Sequence, residues 1–388
     1  MSIHHSIVRY LAQSPLPLSE LKNVTQVSLP TMRRAIQELS DARWVSIVGQ
    51  AEANGGRPAM LFGLDDGYYL VIGVHLQLPG MRLITTDLSG VIVDELKAFE
   101  ENVPTPGEAI DAIMGYVTQM REKFPAREIL GAGIASPGYI DLATGDILSI
   151  GRVLSWELFP ICRTLQAMLG APVTIANDVD CMALAEFQNR GLEQENSQIY
   201  VGFDEGVKTS FFIEGKLYES SLRNTGLISG RLLHVDDAAL QGRIDEWLTL
   251  TGVNRLFAEA VNRLTPAERL PYAPILAEGN PRRRFRLILE YDNGEYPLCR
   301  DLMDNVITVF SAAIAVVILQ IQPDLTVIGG LFNSMPVERF ADMERAVRNH
   351  LPSILQHRAI IRQGVVASRH SAALGATYHF LQKYVPII

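Results

Sequence analysis

A chain of 388 residues is too long for one ordinary core and implies two or three domains, and its 48% hydrophobic and 20% charged residues describe a globular protein rather than a disordered or fibrous one. Its three cysteines, Cys162, Cys181 and Cys299, are too few and too widely spaced for a disulfide framework or a thiolate zinc site, and read as small buried thiols. The net charge of −9 argues against nucleic acid over most of the surface, but residues 1–64 hold six basic side chains (Arg9, Lys22, Arg33, Arg34, Arg43, Arg57) against four acidic ones (Glu20, Glu38, Asp41, Glu52), a balance of +2 that leaves −11 on the remainder.

The N-terminal stretch MSIHHSIVRYLAQSP lacks a basic region followed by an apolar run and a small-residue cleavage site, so no export signal is visible and a cytoplasmic location is expected. Ile3, Ile7, Tyr10 and Leu11 mark one apolar face of a first short helix. A turn is expected at Pro15 to Pro17 and a second helix from Leu18 to Val24. Pro30 suits the first turn of a third helix, about 30–42, because its missing N–H would have no intrahelical partner there. Met32, Ile36 and Leu39 form the inner side of that helix, and Thr31, Arg33, Arg34 and Gln37 the outer. Two short strands follow, 44–48 and 59–64, joined by a polar loop holding Gly55-Gly56-Arg57-Pro58. Three helices and a β-hairpin are the order of a winged helix-turn-helix.

From Tyr69 the pattern changes. Strands are expected at 69–74, 82–87 and 91–96, with turns at Pro79-Gly80 and Ser89-Gly90, then a helix at 106–123 and a strand at 129–135. A helix at 161–169, a strand at 173–176, a helix at 179–189 and strands at 199–203 and 210–213 continue the alternation, which implies an α/β fold with a mixed sheet. Residues 263–296 carry no clear pattern. Asn305 to Pro323 is free of charge and approaches a bilayer span in length, but its Thr308, Ser311, Gln320 and Gln322 favour a helix buried between layers or subunits, with no membrane partner.

Two features point to a duplex. The polar and cationic side chains Thr31, Arg33, Arg34 and Gln37 on one helix face suit base edges and phosphates. The Gly55-Gly56-Arg57 tip leaves little bulk around one guanidinium, which suits a narrow, electronegative minor groove.

Over nearly its whole length the chain resembles the ROK family of bacterial repressors and sugar kinases, and its repressor branch in particular. The resemblance rests on GGRPAMLFGLD at 55–65, GVHLQLPGMRLITTDLSG at 73–90, GIASPGYID at 133–141, APVTIANDVDCMALAEF at 171–187, QPDLTVIGGLF at 322–332 and AALGATYHF at 372–380. It implies an α/β fold: a winged helix-turn-helix over 1–66, then an actin-like (sugar kinase/ribonuclease H-like) two-lobed domain over 67–388 for effector binding and oligomerisation. One lobe would take about 67–178 plus the C-terminal helix, the other 179–370. It further implies a homodimer or homotetramer.

The departures from the family pattern separate regulator from kinase. Catalytic relatives begin the core with a D-x-G-G-T-K turn that holds nucleotide phosphate through backbone N–H groups. Here His75 to Met81 supply no carboxylate, no paired glycines and a proline that removes a donor. The second phosphate turn, G-T-G-I-G-G-G in kinases, is Asp204 to Ser210, whose two carboxylates would repel ATP. Asp178, matching the family's general base, remains, and Asn177 and Asp178 match residues that contact sugar hydroxyls. The family's G-E-x-G-H is Gly226 to Gly230, without the glutamate or the zinc-binding histidine, and the C-x-C-G-x-x-G-C loop is absent, so no zinc or other cofactor is expected. Arg152 stands where an asparagine precedes the family's tryptophan, here Trp156, while Asp245 aligns with a later sugar-contacting glutamate and Glu246 is an equal candidate. The expectation is a non-enzymatic regulator that binds an operator in double-stranded DNA and a carbohydrate effector carrying an anionic or unusual group. The rival expectations are a vestigial effector site and an active kinase with an appended DNA module.

Overall fold

Three helices, α1 (Ile3–Leu11), α2 (Leu18–Thr25) and α3 (Leu29–Asp41), enclose a small apolar core built from Ile7, Leu11, Leu21, Met32, Ile36 and Leu39. Ser28 caps α3 by accepting a hydrogen bond from the Thr31 N–H at 3.3 Å, and Pro30 occupies the first turn. The computed structural model describes residues 3–12, 14–51, 58–77, 79–100, 102–151, 153–189, 197–219, 225–228, 240 and 244–384. Gly55, Gly56, Arg57 and Arg152 therefore lie outside the described residues.

The hairpin beside these helices has a third strand. β1 (Leu16–Pro17) pairs antiparallel with β3 (Met60–Leu64), which also pairs with β2 (Val45–Gln50). Residues 16 and 17 were expected in a turn; they form an edge strand instead, the place in a sheet where a proline without an N–H is tolerated.

The chain divides into two units, one of residues 1–194 and 370–388, the other of residues 195–369. The winged module shares the first unit with the sheet that follows it, because Leu11, Leu39 and Trp44 belong to the same apolar cluster as Val71, Leu88 and Phe380. The junction is fastened by polar contacts as well. The Tyr69 hydroxyl donates to the Ala42 carbonyl at 3.2 Å, and the Arg127 guanidinium donates to the carbonyls of Tyr69, at 3.1 Å, and of Asp66.

The sheet of the first unit contains β4 (Tyr69–Leu76), β5 (Met81–Thr86) and β6 (Ile92–Ala98), an antiparallel meander, with β7 (Glu128–Ser136) added parallel to β4. A small hairpin of β8 (Tyr139–Asp141) and β9 (Asp146–Ser149) precedes β10 (Val173–Asn177), which lies parallel to β7, giving the order β10-β7-β4-β5-β6. Helices α4 (Pro106–Lys123), α5 (Ile161–Leu169) and α6 (Asp178–Asn189) connect these strands; α4 opens with a capping box of Thr105 and Glu108. The C-terminal helix Ser368–Lys383 returns to this sheet so closely that a Cβ on Gly133 would overlap the Ala376 carbonyl. α6 stays in the first unit, past the lobe boundary expected at 178 and 179.

The second unit repeats the plan. β11 (Ser197–Phe203), β12 (Val207–Ile213) and β13 (Lys216–Leu217) are antiparallel, and β14 (Leu325–Gly330) and β15 (Ile361–Gln363) are added parallel on the other side of β11, in the order β13-β12-β11-β14-β15. The two sheets thus share one strand plan. Residues 263–296 resolve into short helical pieces, Pro266–Arg269, Leu270–Tyr272, Ala273–Ala277 and Pro281–Glu290. The core centres on Phe203, stacked on Phe332 at 4.8 Å, with the Phe310 ring edge-on to Phe332 at 4.9 Å. Phe310 belongs to the helix Pro297–Ile321, which is long and apolar enough to cross a membrane by length and composition, although 61% of its most apolar window is buried in the fold. Nearby, the buried Arg339 donates to Asp292 at 2.6 Å, Asp304 at 2.6 Å and Asp342 at 2.9 Å.

Candidate functional site

Three places carry chemistry. On α3, Met32, Ala35, Ile36 and Leu39 are buried, so Thr31, Arg33, Arg34 and Gln37 face outward. Their freedom differs. The Arg34 Nε donates to Glu38 at 2.8 Å, and Glu38 also meets the His4 Nε2 at 2.8 Å; these hydrogen bonds, that of Arg34 first, hold the Glu38 carboxyl below its usual value. Gln37 donates to Asp41 at 2.8 Å. Arg33 lines a groove between α3 and the hairpin together with Arg43 and Ile47.

The second place is the end of the parallel strands in the first sheet, where open α/β folds bind ligands. Asn177 closes β10 opposite Ser136, the last residue of β7, and Asp178 opens α6. Both are buried, with 5% and 6% of their surface exposed. The Val179 N–H donates to the Asn177 Oδ1 at 3.0 Å and the Asp178 Oδ1 at 2.8 Å, while the Asn177 amide donates to the Gly138 carbonyl at 3.5 Å. A carboxylate at a helix N-terminus sits in a favourable field. Ser136 and Gly138 belong to this corner and were not singled out from the sequence, although S-P-G after an apolar strand marks a turn there. Asp245 and Glu246 lie on the helix Ile244–Trp247 of the second unit, where Glu246 pairs with Arg255 at 2.6 Å.

The third place is the pair of first-hairpin turns. Between β4 and β5 the Gln77 N–H donates to Gly80 and the Gly80 N–H to Asn102, each at 3.1 Å, and Pro79 has no N–H. These donors are committed to the protein's own carbonyls. Between β11 and β12, Asp204 and Glu205 accept from Arg282 at 2.7 Å each, with Arg282 only 8% exposed. This corner of the second sheet is filled by an internal ion pair. Among the described residues, no group of three or more His, Cys, Asp or Glu could hold a metal ion, and the three cysteines are buried and not in disulfides.

Residues 71–225 match the model of the ROK family. The xylose repressor of Bacillus subtilis (strain 168) is 28% identical over 230 residues, 58% of this chain, and the match spans 57% of that repressor's own length. A crystal structure of a ROK family transcriptional regulator, a homologue of the E. coli MLC protein, superposes with a TM-score of 0.75 at 16% identity, covering 98% of this chain and 97% of that one. A ROK family glucokinase from Streptomyces griseus, solved with glucose and AMPPNP, gives 0.65 at 20% identity over 80% of this chain and 98% of its own. At these identities the solved structures establish the fold, an N-terminal winged module with an actin-like α/β body, in a family that holds both repressors and sugar kinases. Residues 71–225 thus resemble a ROK family domain, and the chain shares the fold of a ROK family regulator along nearly its whole length.

Proposed function

We propose that this protein is a cytoplasmic, sequence-specific transcriptional repressor of carbohydrate metabolism genes, with no membrane partner and no kinase activity, whose ROK domain binds a sugar or sugar derivative as effector. The observation that carries the reading is α3: a capped helix with a buried apolar face and an outward row of Thr31, Arg33, Arg34 and Gln37, on a module whose apolar core continues into the sheet that follows. A homodimer or homotetramer would present two such helices to half-sites about one helical turn apart, or a multiple of it. Gly55, Gly56 and Arg57 would enter the adjacent minor groove. Asn177 and Asp178 would take the effector's hydroxyls, with Arg152 on an anionic substituent and Asp245 or Glu246 as further contacts. Effector binding would then lower operator affinity by a linkage free energy.

The test is operator binding by fluorescence anisotropy with and without a panel of neutral sugars, sugar phosphates and sugar acids. Arg33→Ala should weaken binding by about 5- to 150-fold, the roughly 1–3 kcal/mol of a base contact. Asn177→Ala and Asp178→Ala should bind DNA normally and lose induction; if they lose DNA binding while folded, the division of labour is wrong. Asp178, retained at the strand end, favours a second reading, an active sugar kinase. ADP release over the same panel would establish that reading and sink the first.

A further inference from the structure

Beside the C-terminal helix Ser368–Lys383, at the end of β10 away from Asn177, lies a cavity of about 560 Å³, the size of a small-molecule site. Its walls come from the β8–β9 turn, α5, the start of β10 and the last turn of that helix. The chain holds 43 Asp and Glu against 34 Lys and Arg, yet the described residues that line this cavity include no carboxylate, while Arg163, His379 and Lys383 all contribute to it. Asp146, outside the lining, meets Arg163 only at 3.9 Å, beyond hydrogen-bond reach, and 73% of the Arg163 side chain stays exposed. Cys162 adds no negative charge. Burial first and Asp146 second push its thiol up to about 12, against the pull of Lys383.

The floor of the cavity supplies a second observation. Thr174, 7% exposed, lines it, and the Thr174 Oγ1 is shut off from solvent with no hydrogen-bond partner. Its neighbours Val173 and Ile175 enter the apolar core of the sheet, which turns Thr174 to the other face of the strand. A hydroxyl buried in this way costs free energy until something in the cavity bonds to it.

We infer that this cavity is a second small-molecule site, for a hydroxylated organic anion whose phosphate or carboxylate lies between Arg163 and Lys383 at the rim and whose hydroxyl meets Thr174 at the floor. Two cations from separate elements fix an anionic group, and the Thr174 hydroxyl selects a hydroxylated molecule over a bare ion. The site is separate from the corner of Asn177 and Asp178 and does not rest on the DNA reading. An occupant would brace the end of the helix whose Phe380, stacked on Tyr384 at 5.2 Å, enters the core of the winged module.

The test is calorimetric titration of the full chain with glycerol 3-phosphate, glucose 6-phosphate, gluconate and citrate, with inorganic phosphate beside them. At least one organic anion should bind saturably and more tightly than inorganic phosphate. Arg163→Ala/Lys383→Ala should weaken that binding by about tenfold or more, and Thr174→Val, which removes only an unpartnered hydroxyl, by about fivefold with a melting temperature no lower than wild type. Hydrogen exchange should slow in the last turn of the C-terminal helix and at the start of β10. Silence from all four organic anions, inorganic phosphate binding as tightly as any of them (an adventitious ion only), unchanged affinity in the double variant, a Thr174→Val chain that melts below wild type, or protection appearing instead at residues 136–138 and the first turn of α6 would overturn the assignment.

Discussion

The first hairpin turns of the two units occupy the same place in the same strand plan, yet they are closed in opposite ways. In the first unit the β4–β5 turn is uncharged and its N–H groups at Gln77 and Gly80 are committed to backbone carbonyls. In the second, the β11–β12 turn carries two carboxylates and a buried arginine to neutralise them. The contrast extends into each unit. The first brings its C-terminal helix down onto glycines, and the second buries ion pairs around Arg282 and Arg339. A shared topology therefore does not dictate how a corner is filled: one turn satisfies its N–H donors internally, and the other balances its own carboxylates with a buried arginine.

The contrast breaks most visibly at Arg339. Arg339→Met should cost about 3–5 kcal/mol in urea unfolding, because it leaves the buried Asp292 only the more distant Arg300, at 3.8 Å, and adding Asp292→Leu should recover much of the loss. If the single variant unfolds like wild type, the second unit does not depend on its buried charges. Arg282→Met, which strands the buried Asp204 while Glu205 still reaches water, should cost about 3 kcal/mol; a rise in ATP turnover above the wild type would show that the arginine blocks phosphate. In the first unit, Gly133→Ala should cost about 1–3 kcal/mol by pushing the C-terminal helix off the sheet, measured as a lowered melting temperature. Ser28→Ala, losing the cap of α3, should cost about 1 kcal/mol, read by hydrogen exchange in that helix.

Legibility in the sequence followed the strength of local signals. Pro106–Lys123 and Ile161–Leu169 were readable to the residue because the Thr105 and Glu108 capping box opens the first and Gly170 closes the second. The two-residue strand at Leu16–Pro17 carries no propensity of its own and exists only through its pairing with Leu61 and Phe62. The β8–β9 hairpin was passed over although Thr144-Gly145 between apolar residues marks its turn. Residues 263–296 were opaque because their helices are short and polar, yet Thr265-Pro266 with Glu268, and Asn280-Pro281, are start signals in plain view. At the candidate site, adjacency made Asn177 and Asp178 visible. The grip of Arg282 on Asp204 could not be foreseen, since it joins residues 78 positions apart.

The apolar cluster that links Trp44 and Leu39 to Val71, Leu88 and Phe380 has a practical consequence. Cutting the chain after residue 64 to isolate the body would strip one side of β4 and of the C-terminal helix, leaving a water-exposed greasy scar. Such a fragment should precipitate, and its poor behaviour would say nothing about whether the body can hold a sugar.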